Sequence, residues 1–373
     1  MSDSPSLLQS ISIIPDHRSD RSIYPLENIL CMTICAVIAG ADDFVAIARF
    51  ANTKKDFFAK FLDLSQGIPS HDRFNTIFKH LDPEAFQNAL LNWITSLHKV
   101  TAGQIIAIDG KTLRRSYDKA DCRSAIHMVS AWASVNHISL GQKVVDAKSN
   151  EITAIPELLR LIDVAGALVT IDAMGCQTEI AKTVIEQNAN YCLAVKGNQP
   201  TLHHGIEAFF DERIETDFEG VEVRSYETNE KGHGRVDSRV YHLCEVPVDL
   251  PDRDRWEGIA AIGMATINSE RDGKEQVGIR YYILSEFVTA ERFAEAVRGH
   301  WSVENNLHWQ LDVTFSEDQC RVRHGHADEN LSTVRRTALS LLKNEKTAKI
   351  GVKNKRLNAG WDDDYLAKVL FAN

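Results

Sequence analysis

Apolar residues recur at three- and four-residue intervals through the first hundred positions, in NILCMTICAVIAG, VAIARFANTKKDFFAKFL, SHDRFNTIFKHL and PEAFQNALLNWITSLH. That spacing lines one face of a helix, so each run predicts a helix, with breaks at Gly67, Pro69 and Pro83. Ser70 and Asp82 stand where N-caps belong, the second just ahead of a proline at the first helical turn. The polar stretch from Lys99 to Gln104 then separates an all-α segment from the rest of the chain.

From Ile105 the pattern changes to short apolar strands alternating with helices. IIAIDG, HMVSAWAS and LGQKVVDAK predict three strands, with a turn at Asn136 to Gly141. A helix at IPELLRLID, a strand ALVTIDA, a helix TEIAKTVIEQNA and a strand YCLAVK complete an α/β core with mixed pairing. After a helix near HHGIEAFFDER come VEVRSYETN, RVDSRVYHLCEV, WEGIAAIGMATINSE and QVGIRYYILS, with turn residues at Gly232, Gly234, Asp272 and Gly273. These predict a β-rich insertion. A helix then starts near Thr289 and runs through ERFAEAVRGHWSVENNLHWQLDV, and another spans ENLSTVRRTALSLLKN.

Composition narrows the classes. A chain of 373 residues, 44% hydrophobic and 25% charged, has material for two or three domains and their cores. Its longest apolar stretch, Ile29 to Ala41, is too short to cross a hydrocarbon layer of ~30 Å, and no leader-like segment opens the chain. The expectation is a cytoplasmic protein with no membrane association. The seven cysteines are odd in number and lack C-x₂-C pairing, which argues against a disulfide framework or a zinc ribbon; Cys31 and Cys35 read as buried thiols. The net charge of −10 bears on partners, because Lys and Arg supply most of the non-specific affinity for nucleic acid. A DNA role therefore needs a local basic surface. Two runs offer one: Lys111, Arg114 and Arg115, or Lys343, Lys346, Lys349, Lys353, Lys355 and Arg356, the latter reading better, taken alone, as a solvated face.

Candidate chemistry sits at strand ends. Asp109 in IIAIDG and Asp172 in VTIDA each close an apolar strand, and open α/β sheets place ligands beyond that carboxyl edge. Two such acids suit Mg²⁺, which takes a few carboxylates plus water and phosphate oxygens; they equally suit capping of the turns after them. A third acid is available on the helix near residue 300, where His300, Glu304, His308 and Asp312 follow at intervals of four. Glu304 completes a three-carboxylate set, or the four residues form a surface network. Zinc is disfavoured, since the two histidines lie two turns apart and no H-E-x-x-H is present. No G-x-S-x-G, Walker-type or G-x-G-x-x-G motif occurs in a fitting context; the G-x-G in KGHGRVD reads as a hairpin turn.

These residues belong to longer blocks. DHR at Asp16 to Arg18, IYPLENIL and GIPSHDRFNTIFKHLDPEAF precede AIDGKTLRRS, TIDAMGCQ, LAVKGNQP and HGRVDSR. RGHWSVENNLHWQLDVTFSEDQCRVR, ENLSTVRRTALSLLK and AGWDDDYL come after them. In that order they resemble the H-repeat-associated transposases of bacterial insertion elements, members of the DDE superfamily, over nearly the whole chain. The resemblance implies an α/β fold with a ribonuclease H-like catalytic core and a β-rich insertion, preceded by an all-α N-terminal domain. The corresponding divisions are 1–100, 101–200, 201–287 and 288–373.

The resemblance also implies that Asp109, Asp172 and Glu304 are the metal-holding acids of a Mg²⁺ enzyme, with Mn²⁺ as substitute. Lys111, Arg114, Arg115, Lys196, Asn198, Gln199, Arg298 and His300 are then expected beside the DNA. Related enzymes place Tyr, Arg and Lys on the turns around the third acid. Here Val297, His300 and Leu311 stand there, with Arg298 displaced, and a protonated His300 is the expected stand-in for the Arg. The implied partners are double-stranded DNA, as element ends and target, and a second copy of the chain on that DNA. A catalytically inactive, transposase-derived DNA-binding or interaction protein is the alternative, and a general nuclease a third reading.

Overall fold

The computed structural model describes residues 6–18, 22–97, 103–117, 125–145, 150–232, 235–271 and 274–371. The first part is helical: α1 (Leu7–Ser12), α2 (Leu26–Ile38), α3 (Phe44–Thr53), α4 (Lys55–Phe58), α5 (His71–His80) and α6 (Pro83–Leu97). Ser70 Oγ accepts from Arg73 N, and Asp82 Oδ1 accepts from Glu84 N at 3.0 Å, so both predicted caps form. The single long helix expected from VAIARFANTKKDFFAKFL breaks at Lys54, whose backbone leaves the helical region, giving α3 and the one-turn α4. The predicted linker falls mostly outside the described residues.

The sheet comprises β1 (Ile105–Thr112), β2 (His127–Ala133), β3 (Ile138–Val145), β4 (Leu168–Ile171), β5 (Asn190–Val195), β6 (Val223–Gly232), β7 (Arg235–Glu245), β8 (Ala261–Arg271) and β9 (Lys274–Leu284). Its nine strands run in the order β3-β2-β1-β4-β5-β9-β8-β7-β6. β1 to β3 form an antiparallel meander, β4 and β5 lie parallel to β1, and β9 joins β5 antiparallel. The β-rich insertion is thus a four-stranded antiparallel continuation of the same sheet. The turn between β2 and β3 lies at residues 134–137, a little ahead of the predicted position, with His137 in the left-handed region.

Helices α7 (Glu151–Leu161), α8 (Thr178–Glu186) and α9 (Pro200–Glu215) connect the middle strands. After β9 come α10 (Ala290–Val303), a π-turn at Glu304–His308, α11 (Trp309–Val313), α12 (Ala327–Asn344), α13 (Val352–Trp361) and α14 (Asp363–Phe371). α12 is the spine of the helical side: it packs on α2, α5, α6, β3 and α13, and nearly all of its side chains are buried. α2 is buried on every face because α1, α3, α12, α13 and α14 surround it, which explains an apolar stretch that never needs a polar side. Among the described residues no helix is long and apolar enough to cross a membrane.

The second basic run is a solvated face only at Lys346, Lys349 and Lys353, which are exposed. Lys355 and Arg356 are buried, Lys355 Nζ donating to the Leu342 carbonyl at 2.9 Å and Arg356 to Val37 O and Asp42 Oδ1 at 2.9 Å. Their charges fasten α13 to α12 and α2, because orphan carbonyls at helix C-termini accept cationic donors.

Candidate active site

Side chains alternate across β1, so Asp109 and Lys111 face α10 and α11 while Gly110 and Thr112 face α7. Asp172 follows β4, the parallel neighbour of β1, and its Oδ1 accepts from Met174 N at 3.0 Å and Gly175 N at 3.2 Å. It caps the turn, as the plainer reading of the sequence holds, and still leaves one carboxylate oxygen uncommitted. Glu304 comes from the opposite wall, at the start of the π-turn. The three acids line one cavity of about 230 Å³, with His300, Lys196 and Arg280.

The π-turn governs which side chains reach the sheet. Trp309 N donates to Glu304 O, a bond one residue wider than the α-helical one. In an α-helix a four-residue step overshoots a full turn by ~40°, so three steps would carry Asp312 well away from the face of His300. The wide turn undoes part of that drift. All four residues therefore face the β1–β4 edge: His300 Nδ1 lies 3.3 Å from Thr170 Oγ1, Glu304 lines the cavity, His308 Nδ1 lies 3.5 Å from Asp109 Oδ2, and Asp312 bonds Lys111. Nothing in the sequence pattern announces the wide turn, although the four-residue spacing pointed to the right side chains.

Charge is unevenly balanced here. Burial, then the charges of Asp172, Glu151 and Glu304, push the Asp109 carboxyl up to about 7, against a stabilising bond from Gly110 N at 2.9 Å. Burial, with help from Arg336 and Lys111, depresses the His308 imidazole to about 3, so it is neutral. Burial also holds the His300 imidazole below its ordinary value, against the charge of Asp172 and the bond to Thr170, which works against the protonated phosphate donor expected at that position.

Beneath the acids lies a compensated ionic core that the sequence reading missed. Lys111 is 8% exposed and its Nζ donates to Asp312 and, at 2.9 Å, to Glu317. Glu317 also accepts from Ser332 at 2.8 Å and Arg336 at 3.2 Å. Burial alone would raise its carboxyl, but Arg336, Lys111 and Arg335 outweigh that and hold it far below the carboxylate range. The available hint was the Arg335–Arg336 pair inside an otherwise apolar helical stripe. Lys111 is accordingly committed to internal carboxylates rather than turned toward a DNA surface.

The other expected contacts separate. Lys196 is exposed and lines the cavity. Asn198 Nδ2 donates to Ala173 O at 2.6 Å and Gln199 Nε2 to Cys176 O at 3.0 Å, so this pair ties the loop after β5 to the turn that carries Asp172. Arg298 leaves the site altogether: it pairs with Glu230 of β6 at 2.5 Å, because α10 turns that face toward the insertion. Arg114 and Arg115 are exposed on the loop beyond β1, Arg114 Nε lying 3.4 Å from Asp318. On the α7 side of β1, His127 bridges Glu151 (2.5 Å) and Thr112 (2.8 Å), and a Cβ at Gly110 would come within 2.1 Å of the Glu151 carboxylate. A side chain at position 110 would have to displace the Glu151 carboxylate from His127.

Comparison with known proteins identifies the family. Residues 8–94 match the family model described as DDE_Tnp_1-associated, and residues 101–341 match the Transposase DDE domain. The chain is 42% identical over 370 residues to the H repeat-associated putative transposase YhhI of Escherichia coli (strain K12), covering 98% of this chain and 97% of that one. It is 36% identical over 278 residues to an uncharacterized protein in the dhlA 3′ region of Xanthobacter autotrophicus, covering 73% and 92%. Among solved structures, a piggyBac transposase synaptic complex with hairpin DNA aligns over 95% of this chain and 76% of that one. Its TM-score is 0.42 at 11% identity, too slight a likeness to argue from. On the family match and the near-complete relatives, the chain belongs to the H-repeat-associated branch of the DDE transposase family.

Proposed function

We propose that this protein is a divalent-metal-dependent DNA transposase that cleaves DNA at the ends of an insertion element and joins the freed strands to target DNA. The observation that carries the reading is the gathering of Asp109, Asp172 and Glu304, distant in sequence, on one cavity. The strand order β3-β2-β1-β4-β5, an antiparallel meander followed by two strands parallel to the first, supports a ribonuclease H-like core.

The donor set fits Mg²⁺ or Mn²⁺: three hard oxygen ligands, with Asp109 raised first by burial and then by the neighbouring carboxylates, a penalty that a cation would relieve. Asp109, Asp172 and Glu304 would hold the metal, which supplies charge neutralisation at the phosphate and acidifies a bound water. His308 orients Asp109, the capped turn fixes Asp172, and Lys196 and Arg280 set positive charge on the cavity wall for the scissile phosphate. In the first step water oxygen bonds to phosphorus as the P–O3′ bond breaks, the leaving 3′ oxygen taking up a proton. In the second, that 3′-OH attacks a target phosphodiester, losing its proton and expelling the target 3′ oxygen. One phosphodiester is exchanged for another, so no ATP is needed. Two ends must meet before joining, which favours a homodimer on double-stranded DNA, and a substrate of this kind places the work in the cytoplasm.

The test is cleavage of a duplex carrying the cognate inverted repeat, with Mg²⁺ or Mn²⁺. Asp172→Asn is expected to lose about three orders of magnitude in rate, the several kcal/mol a metal-held transition state supplies. Equal cutting by both proteins rejects the assignment, and end binding without any cutting by the wild type favours an inactive descendant.

A further inference from the structure

The chain carries 42 Lys and Arg against 52 Asp and Glu, and the candidate site adds three acids in one cavity. Both features repel a polyanion, so affinity for DNA requires cations gathered somewhere near the site. One stretch of surface gathers them. On the loop after β1, Arg114 has 81% of its side chain exposed, Arg115 is exposed, and Tyr117 is 42% exposed. Arg323 lies over the Tyr117 ring at 5.7 Å, which joins this loop to the segment after Cys320. Arg321, Arg323 and His324 in turn line an open groove against His71 and Asn75 of α5. At the far end of α5, Lys79 is exposed and its carbonyl accepts from His326 N at 3.1 Å.

The permanent charges along this path are Arg73, Lys79, Arg114, Arg115, Arg321 and Arg323, against the carboxylates of Asp43, Asp72, Asp318 and Glu329, of which Asp72 lies 3.4 Å from His71 and Glu329 3.8 Å from His326. Asp42, also on the groove, is already paired with Arg356 at 2.9 Å. The charge ratio of the whole chain is therefore reversed here. Arg115 and Arg321 make no side-chain hydrogen bond or ion pair among the described residues, so their charge is available to a ligand. Arg114 follows Asp109 by five positions, no more than about 17 Å along extended chain. A duplex covers that distance with about ten phosphate charges, which makes it a match in length and sign.

We infer that this face, from Arg114–Tyr117 across Arg321–His324 to α5, is a docking surface for the phosphate backbone of double-stranded DNA leading into the acid cavity. The inference rests on the transposase reading for its choice of polyanion. It assigns the work of holding DNA to a segment, Arg321 to His324, that the sequence did not single out, and to an α5 face in the helical region.

Fluorescence anisotropy with a labelled ~30-bp duplex of arbitrary sequence, without divalent ions and from ~50 to ~200 mM salt, tests it. Each phosphate contact contributes about 0.9 to the slope of log K against log salt, so the double variant Arg115→Gln/Arg321→Gln should bind with a slope smaller by nearly 2. Lys182→Gln on α8, away from the path, should leave the slope unchanged. Both arginines are exposed and make no side-chain bond among the described residues, so the substitutions should leave folding intact, and a thermal melt of each variant verifies that. A wild type that binds with the same slope as the double variant overturns the surface and leaves the transposase reading standing. A wild type that does not bind duplex DNA at all overturns both. A clear preference for an RNA duplex in competition overturns the DNA assignment.

Discussion

At the scale of single residues, the candidate site divides into groups that face the cavity and groups that hold them. His308 is of the second kind. Its Nδ1 faces Asp109, and among the described residues its buried Nε2 has no hydrogen-bond partner, nor do Nε and Nη2 of Arg336, whose charge acts on the imidazole. A neutral imidazole with its proton on Nδ1 turns that N–H toward the Asp109 carboxylate, 3.5 Å away. Groups that orient metal-holding side chains are worth ten- to a hundredfold in affinity. His308→Leu should therefore weaken Mn²⁺ binding, read by electron paramagnetic resonance, about tenfold or more, whereas His308→Asn, which keeps a donor near Nδ1, should lose only a few-fold. Unchanged affinity in the leucine variant removes His308 from this role. Glu317 makes a different prediction. Replacing it by Gln leaves Lys111, Arg335 and Arg336 buried around a neutral amide, a loss of about 3–5 kcal/mol in urea unfolding. A loss below about 1 kcal/mol would show that water reaches these charges.

At the scale of elements, the C-terminal end of α12 provides a pH-dependent anchor. Glu345 accepts from Thr347 N at 2.6 Å and from the Tyr365 hydroxyl at 2.9 Å, linking α12 to α14. Burial opposes ionisation, yet these donors hold its carboxyl at about 2. The folded-state value lies below the unfolded one, so the stabilisation is present above the ordinary glutamate range and lost as pH falls toward 2. Glu345→Gln should cost up to about 3 kcal/mol at pH 7 and almost nothing near pH 2, a convergence that melting curves across pH will reveal. Much of the element plan was legible beforehand, because strand alternation, helix caps and turn residues act locally: β1, β4, β5, the four insertion strands, and the caps at Ser70 and Asp82 are set by neighbours in sequence. The illegible part depends on distant partners. The break at Lys54, the burial of Lys355 and Arg356, the π-turn and the pairing of Arg298 with Glu230 are each decided by surfaces far along the chain. The three acids could be named, two from strand ends and the third with the family's help; the ionic core beneath them could not, since an isolated SED reads as a turn.

At the scale of the whole molecule, the helical region and the sheet share one continuous apolar core, and residues at both ends of the chain contribute to α2's surroundings. Calorimetry should therefore give a single unfolding transition, and residues 1–97 alone should remain unfolded, as circular dichroism would report. Two well-separated transitions would instead assign the helical region a stability of its own. The π-turn sits where the sheet side hands over to the helical side, one residue longer than a regular helix requires. Removing Asn305 would let the turn close to ordinary pitch while the later positions keep nearly their present direction, since eleven regular steps from His300 to Asp312 make three turns and only ~20° more. His308 would keep Asp109, and Asp312 would keep Lys111. A deletion here should therefore be tolerated better than one elsewhere in the same helix, where no spare residue absorbs it and every later side chain would rotate by ~100°.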